Sequence, residues 1–328
     1  MRVTDVRGMT ARASALSLLA LAACSGGGED GDRGANPAAG TEADFVMPRD
    51  TDILLASVTW DAEGRPSVGR PANVTQRPDY DNQPYFVPDG SGFWYTVNDP
   101  HDGQADIWRY DIATGMVARV TMSSPESEYS ATPLPDGSGI SAIRVEADST
   151  QRLWRFDVDG ANASVLLEDV APVGYHAWSG DRTLAMFVLG TPATLQRARI
   201  GEPGTEVIAE NIGRSIQKIP GTEDISYQQL DGEGGSTIMR LPAGGGAPEP
   251  IIESVEGGEY HAWAPNGVLL QASGPILWAA RPGPGAVWRP AVDWSELHIT
   301  LTRLAVSPDG THIAVVAEPA PLEGFAGN

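Results

Sequence analysis

Cysteine is nearly absent from this chain, which has one, Cys24, among its 328 residues. A single cysteine excludes an internal disulfide and a zinc site built from several thiolates. Positive charge is also scarce, because 22 Lys and Arg residues stand against 43 Asp and Glu residues, for a formal net charge of −21. A chain this acidic repels phosphate, so nucleic acid and anionic lipid headgroups are disfavoured as partners.

The motifs that mark common catalytic sites are missing as well. The sequence contains no CxxC, HExxH, GxSxG or GxxxxGK[ST] pattern. These absences exclude the zinc enzymes, α/β-hydrolases and P-loop nucleotide hydrolases that carry such motifs. Catalysis by residues gathered from separate loops stays open, and the balance leans towards a protein that is not an enzyme.

No apolar run at the start of the chain is long enough to cross a bilayer. Arginines precede an apolar run over residues 13–23, whereas a spanning helix needs about 20 residues. The pattern predicts an export signal over residues 1–23. The Leu-Ala-Ala-Cys that ends at Cys24 resembles the bacterial lipoprotein processing box. The resemblance implies cleavage before Cys24 and lipidation of that residue, and Ser25 implies the periplasmic side of the outer membrane.

Three further segments follow the predicted signal. Residues 24–50 are rich in glycine, alanine and acids and have few large apolar groups, which predicts a disordered tether behind the lipidated cysteine. Residues 51–318 are predicted to form the folded domain, and residues 319–328 a C-terminal tail.

A hairpin pattern recurs throughout the predicted domain. In residues 301–318, apolar residues at strand spacing flank Pro308-Asp309-Gly310. Proline opens a tight turn and glycine takes the left-handed position that closes it. Similar turns recur every 40–47 residues, anchored at Pro88, Pro135, Gly180, Pro220, Pro265 and Pro308. Paired β-hairpins at this period are typical of propeller blades.

The last copy predicts how the ring closes. Two more strands follow each of the first five hairpins, but only ten residues follow the sixth. Strand-like segments that begin at Asp52 and Ala72 match the missing third and fourth strands. The sequence therefore predicts an all-β fold, a single six-bladed β-propeller whose last blade is completed by the N-terminal strands. Such closure hides sheet edges that would otherwise invite aggregation.

These repeats resemble those of the TolB-type six-bladed propellers. The resemblance rests on the Pro-Asp-Gly turns at Pro88, Pro135 and Pro308 and on third strands such as Asp-Ile-Trp-Arg-Tyr-Asp from Asp106. It covers about residues 51–318 and does not extend to the N-terminal α/β domain of TolB. It implies a propeller fold and a periplasmic, non-covalent binding role.

The first strand of each blade lines the central channel, so residues near its start are candidates for a ligand site. Two blades share a Tyr-His-Ala-Trp pattern, at Tyr175-His176 and Tyr260-His261. Alignment on the turns places Gln83, Ser130, Tyr175, Ser215, Tyr260 and Arg303 at one level. The predicted binding residues at the funnel mouth are Asn82, Gln83, Glu128, Tyr129, Tyr175, His176, Arg214, Tyr260, His261 and Arg303.

The two histidines carry the weaker prediction of a metal. Each imidazole is able to bind one ion, and Glu128 or Glu259 is the available third ligand. The alternative is that each histidine is a repeat copy that is hydrogen-bonded to a neighbouring strand. No other cofactor is expected.

Three functions remain open from the sequence. The first is a monomeric, non-enzymatic module, attached to the membrane only by its lipid anchor, that binds an envelope protein or peptide. The second is a periplasmic hydrolase or lyase with a metal in the funnel. The third is a sensor that binds a small molecule such as a sugar or a peptidoglycan fragment.

Overall fold

The computed structural model of the chain describes residues 45–101 and 103–321. In this part the regular structure is 25 β-strands and one short 3₁₀ helix. The strands form six antiparallel sheets, arranged as the blades of a six-bladed β-propeller, so the predicted fold class is confirmed. No helix within these residues is long and apolar enough to cross a membrane.

Each blade has four strand positions, counted outward from the channel. Blade 1 contains β4 (Asp81–Phe86), β5 (Gly92–Asp99), β6 (Gln104–Asp111) and β7 (Val117–Arg119); blade 2 contains β8 (Ser127–Pro133), β9 (Gly139–Val145), β10 (Gln151–Asp157) and β11 (Ser164–Val165); blade 3 contains β12 (Val173–Trp178), β13 (Thr183–Val188), β14 (Thr194–Arg199) and β15 (Glu206–Glu210).

The second half of the propeller repeats this order. Blade 4 contains β16 (Ile212–Lys218), β17 (Ile225–Leu230), β18 (Ser236–Leu241) and β19 (Glu249–Glu253); blade 5 contains β20 (His261–Trp263), β21 (Leu269–Ser273), β22 (Ile276–Ala280) and β23 (Arg289–Asp293); blade 6 contains β24 (Ile299–Val306), β25 (His312–Pro319), β1 (Asp52–Trp60) and the short outer strands β2 (Pro66–Val68) and β3 (Ala72–Asn73). The 3₁₀ helix, Ser295–Leu297, links blades 5 and 6.

The Pro-Asp-Gly turns join the first and second strands as the sequence predicts. In blade 1, Gly90 has a φ of 74°, a left-handed conformation that glycine adopts without steric cost. Its N–H donates to the carbonyl of Val87 at 2.9 Å. The Asp89 carboxylate accepts the N–H of Ser91 at 2.9 Å. These hydrogen bonds need no partner from another blade. The turns can therefore be recognised from the local sequence alone.

Blade 6 is closed by the N-terminal strands, as predicted. Strand β1 pairs antiparallel with β25, with Leu54 opposite Val315. The outer position differs from the prediction, since it is divided between β2 and β3, which pair with different parts of β1. Gly69 and Pro71 lie between them, and proline lacks the N–H that a continuous ladder needs.

A partly buried polar contact fixes the segment after β3 to β1, the third strand of blade 6. Thr75 Oγ1 donates to Asp52 Oδ1 at 3.0 Å and accepts the N–H of the residue after Asp52 at 3.0 Å. Thr121 repeats both contacts with Asp106 and the following N–H in blade 1, at 3.0 and 2.9 Å. The closing blade therefore uses the same local bonding as a blade built from contiguous chain.

Strand β1 is buried on both faces. Ile53 packs with Phe93 and Val316 in a cluster that joins blades 6 and 1. The next residue, Leu54, packs with Leu270 and other side chains in a cluster that joins blades 5 and 6. Successive residues of a strand face opposite sides of the sheet, so one strand binds both neighbouring blades.

Two residues of the predicted tether contact the folded domain. Within the predicted tether, Phe45 packs against the core of blades 5 and 6. The carbonyl of Val46 accepts a hydrogen bond from Asn73 Nδ2 at 3.2 Å. The predicted signal, the lipidation at Cys24 and most of the predicted tail lie outside the described residues.

Candidate functional site

The first strands are irregular at the level where the sequence predicts a site. Pairing between the first and second strands is shifted there in five of the six described blades. Gln83 and Ser130 have φ angles of 59° and 55°. A β-bulge bends a strand and changes the direction of its side chains. Gln83 Oε1 accepts the Ser130 N–H at 2.7 Å, which joins blades 1 and 2 at the channel.

Arg303 lies across the central channel. Its Nη2 donates to the hydroxyl of Tyr175 at 2.7 Å and to that of Tyr260 at 2.9 Å. Its guanidinium carbon lies 4.9 and 4.2 Å from the centroids of the same two rings, within cation–π distance. Arg303 belongs to blade 6 and Tyr175 to blade 3, and these two blades are opposite each other in a ring of six.

Each blade contributes a tyrosine or an arginine near this crossing. We call the set Tyr80, Tyr129, Tyr175, Arg214, Tyr260 and Arg303 the arginine–tyrosine ring. Burial raises the pKa of Tyr80, and the positive charge of Arg303 offsets only part of that rise. Burial also raises the pKa of Tyr260, again against the effect of Arg303. These two phenols are therefore neutral at physiological pH.

The two arginines of the ring keep their positive charge. Burial alone lowers the pKa of Arg303, but Tyr175 and Tyr260 outweigh this effect, so the net pKa is raised. Arg214 is more exposed, and its pKa is also raised, because partial desolvation lowers it but Tyr260 and Tyr175 raise it by more. Among the described residues, neither arginine forms an ion pair with a carboxylate.

A cavity of about 540 Å³ begins at the ring and extends along the channel. Arg303, Tyr175 and Tyr260 line one end, and residues of the hairpin turns such as Pro88 and Pro135 line the other. The turn residues are exposed, so the cavity opens on the face of the propeller that carries these turns. The four ring members that line the cavity form its floor, and the other two lie outside the lining.

The opening carries charged residues of both signs. Asp181, Lys218 and Glu223 line the cavity near the turns, and all three are exposed. Lys218 Nζ lies 2.9 Å from a Glu223 carboxylate oxygen. This pairing leaves the rim with a net negative charge, in contrast to the positive floor.

The structure brings together most of the predicted site residues. Those that line the cavity are Gln83, Tyr175, His176, Arg214, Tyr260, His261 and Arg303. Asn82, Glu128, Tyr129 and Glu259 are outside its lining. Tyr80 was missed by the sequence reasoning, because it precedes the first strand and falls outside the aligned copies.

Glu128 lies inside blade 2 and not at the funnel mouth, where the sequence placed it. Its side chain is fully buried, and its Oε1 accepts a hydrogen bond from Arg144 Nε at 2.7 Å. The two residues are opposite each other in the register of β8 and β9. The guanidinium of Arg144 stacks 4.5 Å from the Trp154 ring centroid. Asn82 is also buried, and its Oδ1 accepts the N–H of Gln83 at 2.8 Å.

The two histidines are engaged by hydroxyl groups of the preceding blade. His176 Nε2 lies 2.7 Å from Ser141 Oγ and 2.8 Å from Thr132 Oγ1. Trp178 Nε1 donates to the same Ser141 oxygen at 2.9 Å. This arrangement matches the alternative prediction, in which each histidine is hydrogen-bonded to a neighbouring strand.

The second copy of this arrangement involves His261. Its Nε2 lies 2.8 Å from Ser226 Oγ, which also accepts a hydrogen bond from Trp263 Nε1 at 2.8 Å. In both copies the serine precedes its histidine by 35 residues and its tryptophan by 37. The sequence contains this repeated spacing of serine, histidine and tryptophan. It is the signal that could have identified the two serines.

A serine within hydrogen-bonding distance of a histidine resembles a nucleophile and its base. Ser141 and Ser226 are, however, fully buried. Burial lowers the pKa of His176 and of His261 to about 3, so both imidazoles are neutral and weak bases at physiological pH. The contacts therefore join adjacent blades rather than activate a nucleophile.

Within residues 45–101 and 103–321, no three His, Cys, Asp or Glu side chains form a group that would hold a metal ion. Glu128 faces Arg144 and Glu259 is exposed, so neither lies beside the histidines in the cavity. The donor set that the sequence suggested for a metal is thus not assembled by the described residues.

No protein-family model and no curated protein matches this chain. Several solved structures do. A TolB candidate from Agrobacterium tumefaciens aligns with a TM-score of 0.61 at 14% identity, over 83% of this chain and 99% of that one. A gluconolactonase of Xanthomonas campestris aligns with a TM-score of 0.58 at 12% identity, over 88% and 99%.

The TolB of Acinetobacter baumannii aligns with a TM-score of 0.55 at 12% identity, over 81% of this chain. The match takes in 64% of that protein's length. At these identities the likeness shows the fold, a TolB-like six-bladed propeller. Because the same fold supports a gluconolactonase as well as TolB proteins, function has to be argued from the cavity itself.

Proposed function

We propose that this protein is a non-enzymatic binding module of the cell envelope. It is held to the periplasmic side of the outer membrane by a lipid on Cys24, and it binds a partner protein or peptide in the central cavity. The observation that carries the proposal is the cavity floored by Arg303, Tyr175 and Tyr260 and open on the turn face.

The cavity has the size and chemistry of a binding site. Its volume of about 540 Å³ falls within the range of roughly 300–1,000 Å³ that is usual for ligand pockets. Apolar side chains such as Leu134, Ile216 and Leu304 line its walls. The arginine and tyrosine side chains of the floor supply polar groups of the kind that orient a ligand.

Two observations favour binding over hydrolysis. The serines near the histidines are fully buried, so a substrate in the cavity does not reach them. Each histidine has a pKa of about 3 because of burial, far from the value near neutrality that suits a general base. The arrangement thus supports a binding role for the channel.

The proposed localisation at the membrane rests on the sequence. Arginines, a short apolar run and the Leu-Ala-Ala-Cys segment precede an acidic domain. A domain with this charge has no electrostatic attraction to anionic headgroups, so acyl chains are needed to hold it at the membrane. Cys24→Ser is expected to release the protein from the membrane fraction and to abolish incorporation of labelled palmitate. Membrane retention of the unlabelled variant would count against the anchor.

The binding role is tested by affinity capture from detergent-solubilised envelope. The lipidated protein, Arg303→Gln and Arg289→Gln are used side by side. Arg289 is an exposed residue of an outer strand, so its substitution removes the same charge outside the cavity. The proposal expects one partner, in near-equal amount, with the wild type and Arg289→Gln and not with Arg303→Gln.

Two other results would overturn the proposal. Equal recovery with all three proteins would place the contact outside the cavity. An empty capture, combined with saturable stabilisation by a sugar or a peptidoglycan fragment, would favour a small-molecule sensor.

A further inference from the structure

The channel is closed at the arginine–tyrosine ring. The hydrogen bond from Arg303 to Tyr175 joins opposite blades and so crosses the channel axis. A second hydrogen bond, to Tyr260, holds the same guanidinium from a third blade. The cavity on the turn side is therefore a blind pocket. An extended chain that enters such a pocket does so with one of its ends first.

The floor of this pocket offers unused hydrogen-bond donors. An arginine side chain has five N–H groups, and the two bonds to tyrosine use those on Nη2 of Arg303. Among the described residues, Nε and Nη1 have no acceptor. Arg214 adds a second guanidinium that lines the same cavity. Two cations without an acidic partner form a site whose complement is an anion.

A carboxylate fits this floor better than other chain ends do. The planar fork of a guanidinium matches the two oxygens of a carboxylate, whereas an ammonium group would be repelled by both arginines. Apolar side chains such as Leu134 and Leu304 share the walls with polar ones, and they suit an uncharged segment behind the anion. The negative rim, with Asp181 and Glu223, disfavours a segment that is acidic along its length.

We propose that the pocket captures the C-terminal carboxylate of a peptide or protein segment that enters from the turn face. This inference rests on the proposed function and specifies its ligand. The terminal carboxylate pairs with Arg303 and Arg214, and the preceding residues contact the cavity walls between the floor and the hairpin turns. End-first insertion distinguishes this mode from the binding of an acidic side chain in mid-segment.

The test uses the full chain without its signal and a set of N-acetylated tetrapeptides. The peptides share Ala-Ala-Ala and differ in their last residue, with one peptide for each standard amino acid. Each is made with a free C-terminal carboxylate and as the C-terminal amide. Binding is measured by ligand-observed NMR and by titration calorimetry, on the wild type, Arg303→Gln, Arg303→Lys and Arg289→Gln.

At least one free acid is expected to bind, with its amide weaker by roughly 10- to 100-fold, since a charge-assisted contact is lost. Arg303→Gln is expected to lose the preference for the acid. Arg303→Lys keeps the charge without the fork, so it should keep part of the preference, and Arg289→Gln should match the wild type. The comparison of acid with amide on the wild type decides the matter even if a variant fails to fold.

Three results would overturn the inference. Equal binding of acid and amide would remove the carboxylate from the recognition but leave a peptide-binding channel. One additional peptide, the N-acetylated amide of Ala-Asp-Ala-Ala, carries its only carboxylate on a side chain. If it binds as tightly as the best free acid, a side-chain carboxylate and not a chain end is recognised. If no peptide binds, in either form, both this inference and peptide binding in the channel fail.

Discussion

Arg303 and Tyr175 are 128 residues apart in the chain, yet a 2.7 Å hydrogen bond joins them across the central channel. The bond connects blades that share no strand pairing. It therefore links the two halves of the propeller directly. It depends on the closure of blade 6, which brings that blade opposite blade 3.

Removal of the Tyr175 hydroxyl tests how much this contact stabilises the fold. Tyr175→Phe keeps the ring that stacks on Arg303 but removes one acceptor. The free energy of unfolding is expected to fall by about 1–3 kcal/mol, which is typical of a hydrogen bond to a charged group. Urea denaturation measures the change. Tyr85→Phe is the control, because no hydrogen bond of its hydroxyl is present among the described residues, and it should shift stability by less than about 0.5 kcal/mol.

Asp81 should make the protein less stable as the pH rises from about 4 to about 6. Burial, reinforced by Asp52 and opposed by Arg77, raises the pKa of Asp81 from 3.8 to about 6. The folded state thus holds a proton that the unfolded state has released, and stability falls with pH where this is so. The effect is on the order of 3 kcal/mol.

Urea denaturation of the wild type and Asp81→Asn between pH 4 and pH 7 checks this effect. Asparagine does not titrate, so the stability of the wild type relative to the variant should fall across the window and level off above pH 6. A constant difference from pH 4 to pH 7 would show that Asp81 does not titrate in this range.

His261 should act in the opposite direction. Burial lowers its pKa from 6.5 to about 3, so below pH 6.5 the unfolded state takes up a proton that the folded state does not. Stability is fully present above pH 6.5 and is lost as the pH falls towards 3, by an amount on the order of 4 kcal/mol. His261→Gln should therefore lose less stability than the wild type when the pH is lowered from 7 to 4.

Two further variants make that measurement specific. His176→Gln should repeat the result, because its imidazole has the same burial and a matching serine partner. His101→Gln changes an exposed histidine and should follow the wild type. If the free energy of unfolding of His261→Gln falls with pH as steeply as that of His101→Gln, the buried imidazole is not held neutral in the folded state.

The sequence predicted the parts of the site that lie between the turns and the bulges. Counting back from each turn placed Tyr175, Tyr260 and Arg303 at one level, and the structure joins these three by hydrogen bonds. From the turn back to the bulge the pairing of the first and second strands is continuous, and Arg303 lies at the bulge where that stretch ends. Positions counted from a turn therefore coincide in space from blade to blade.

Beyond the bulges the same counting failed. Glu128 was placed at the mouth, but it precedes the bulge at Ser130, and it lies inside its blade against Arg144. One extra residue in a strand reverses which face the next side chains occupy. The crossing of the channel by Arg303 was also beyond the sequence, since it joins side chains from blades that are distant in the chain.

The closure of blade 6 makes the strongest prediction about the fold. Six register pairs join β1 to β25, and Ile53 and Leu54 place this strand in the cores on both sides. Deletion of residues 51–77 removes these contacts and exposes the edge of β25, so cooperative thermal unfolding should be abolished. Asp52→Asn, which keeps the strand and weakens its buried bonding, should stay cooperative and lose about 1–3 kcal/mol. A cooperative transition in the deletion variant, followed by calorimetry, would show that five blades and a hairpin suffice.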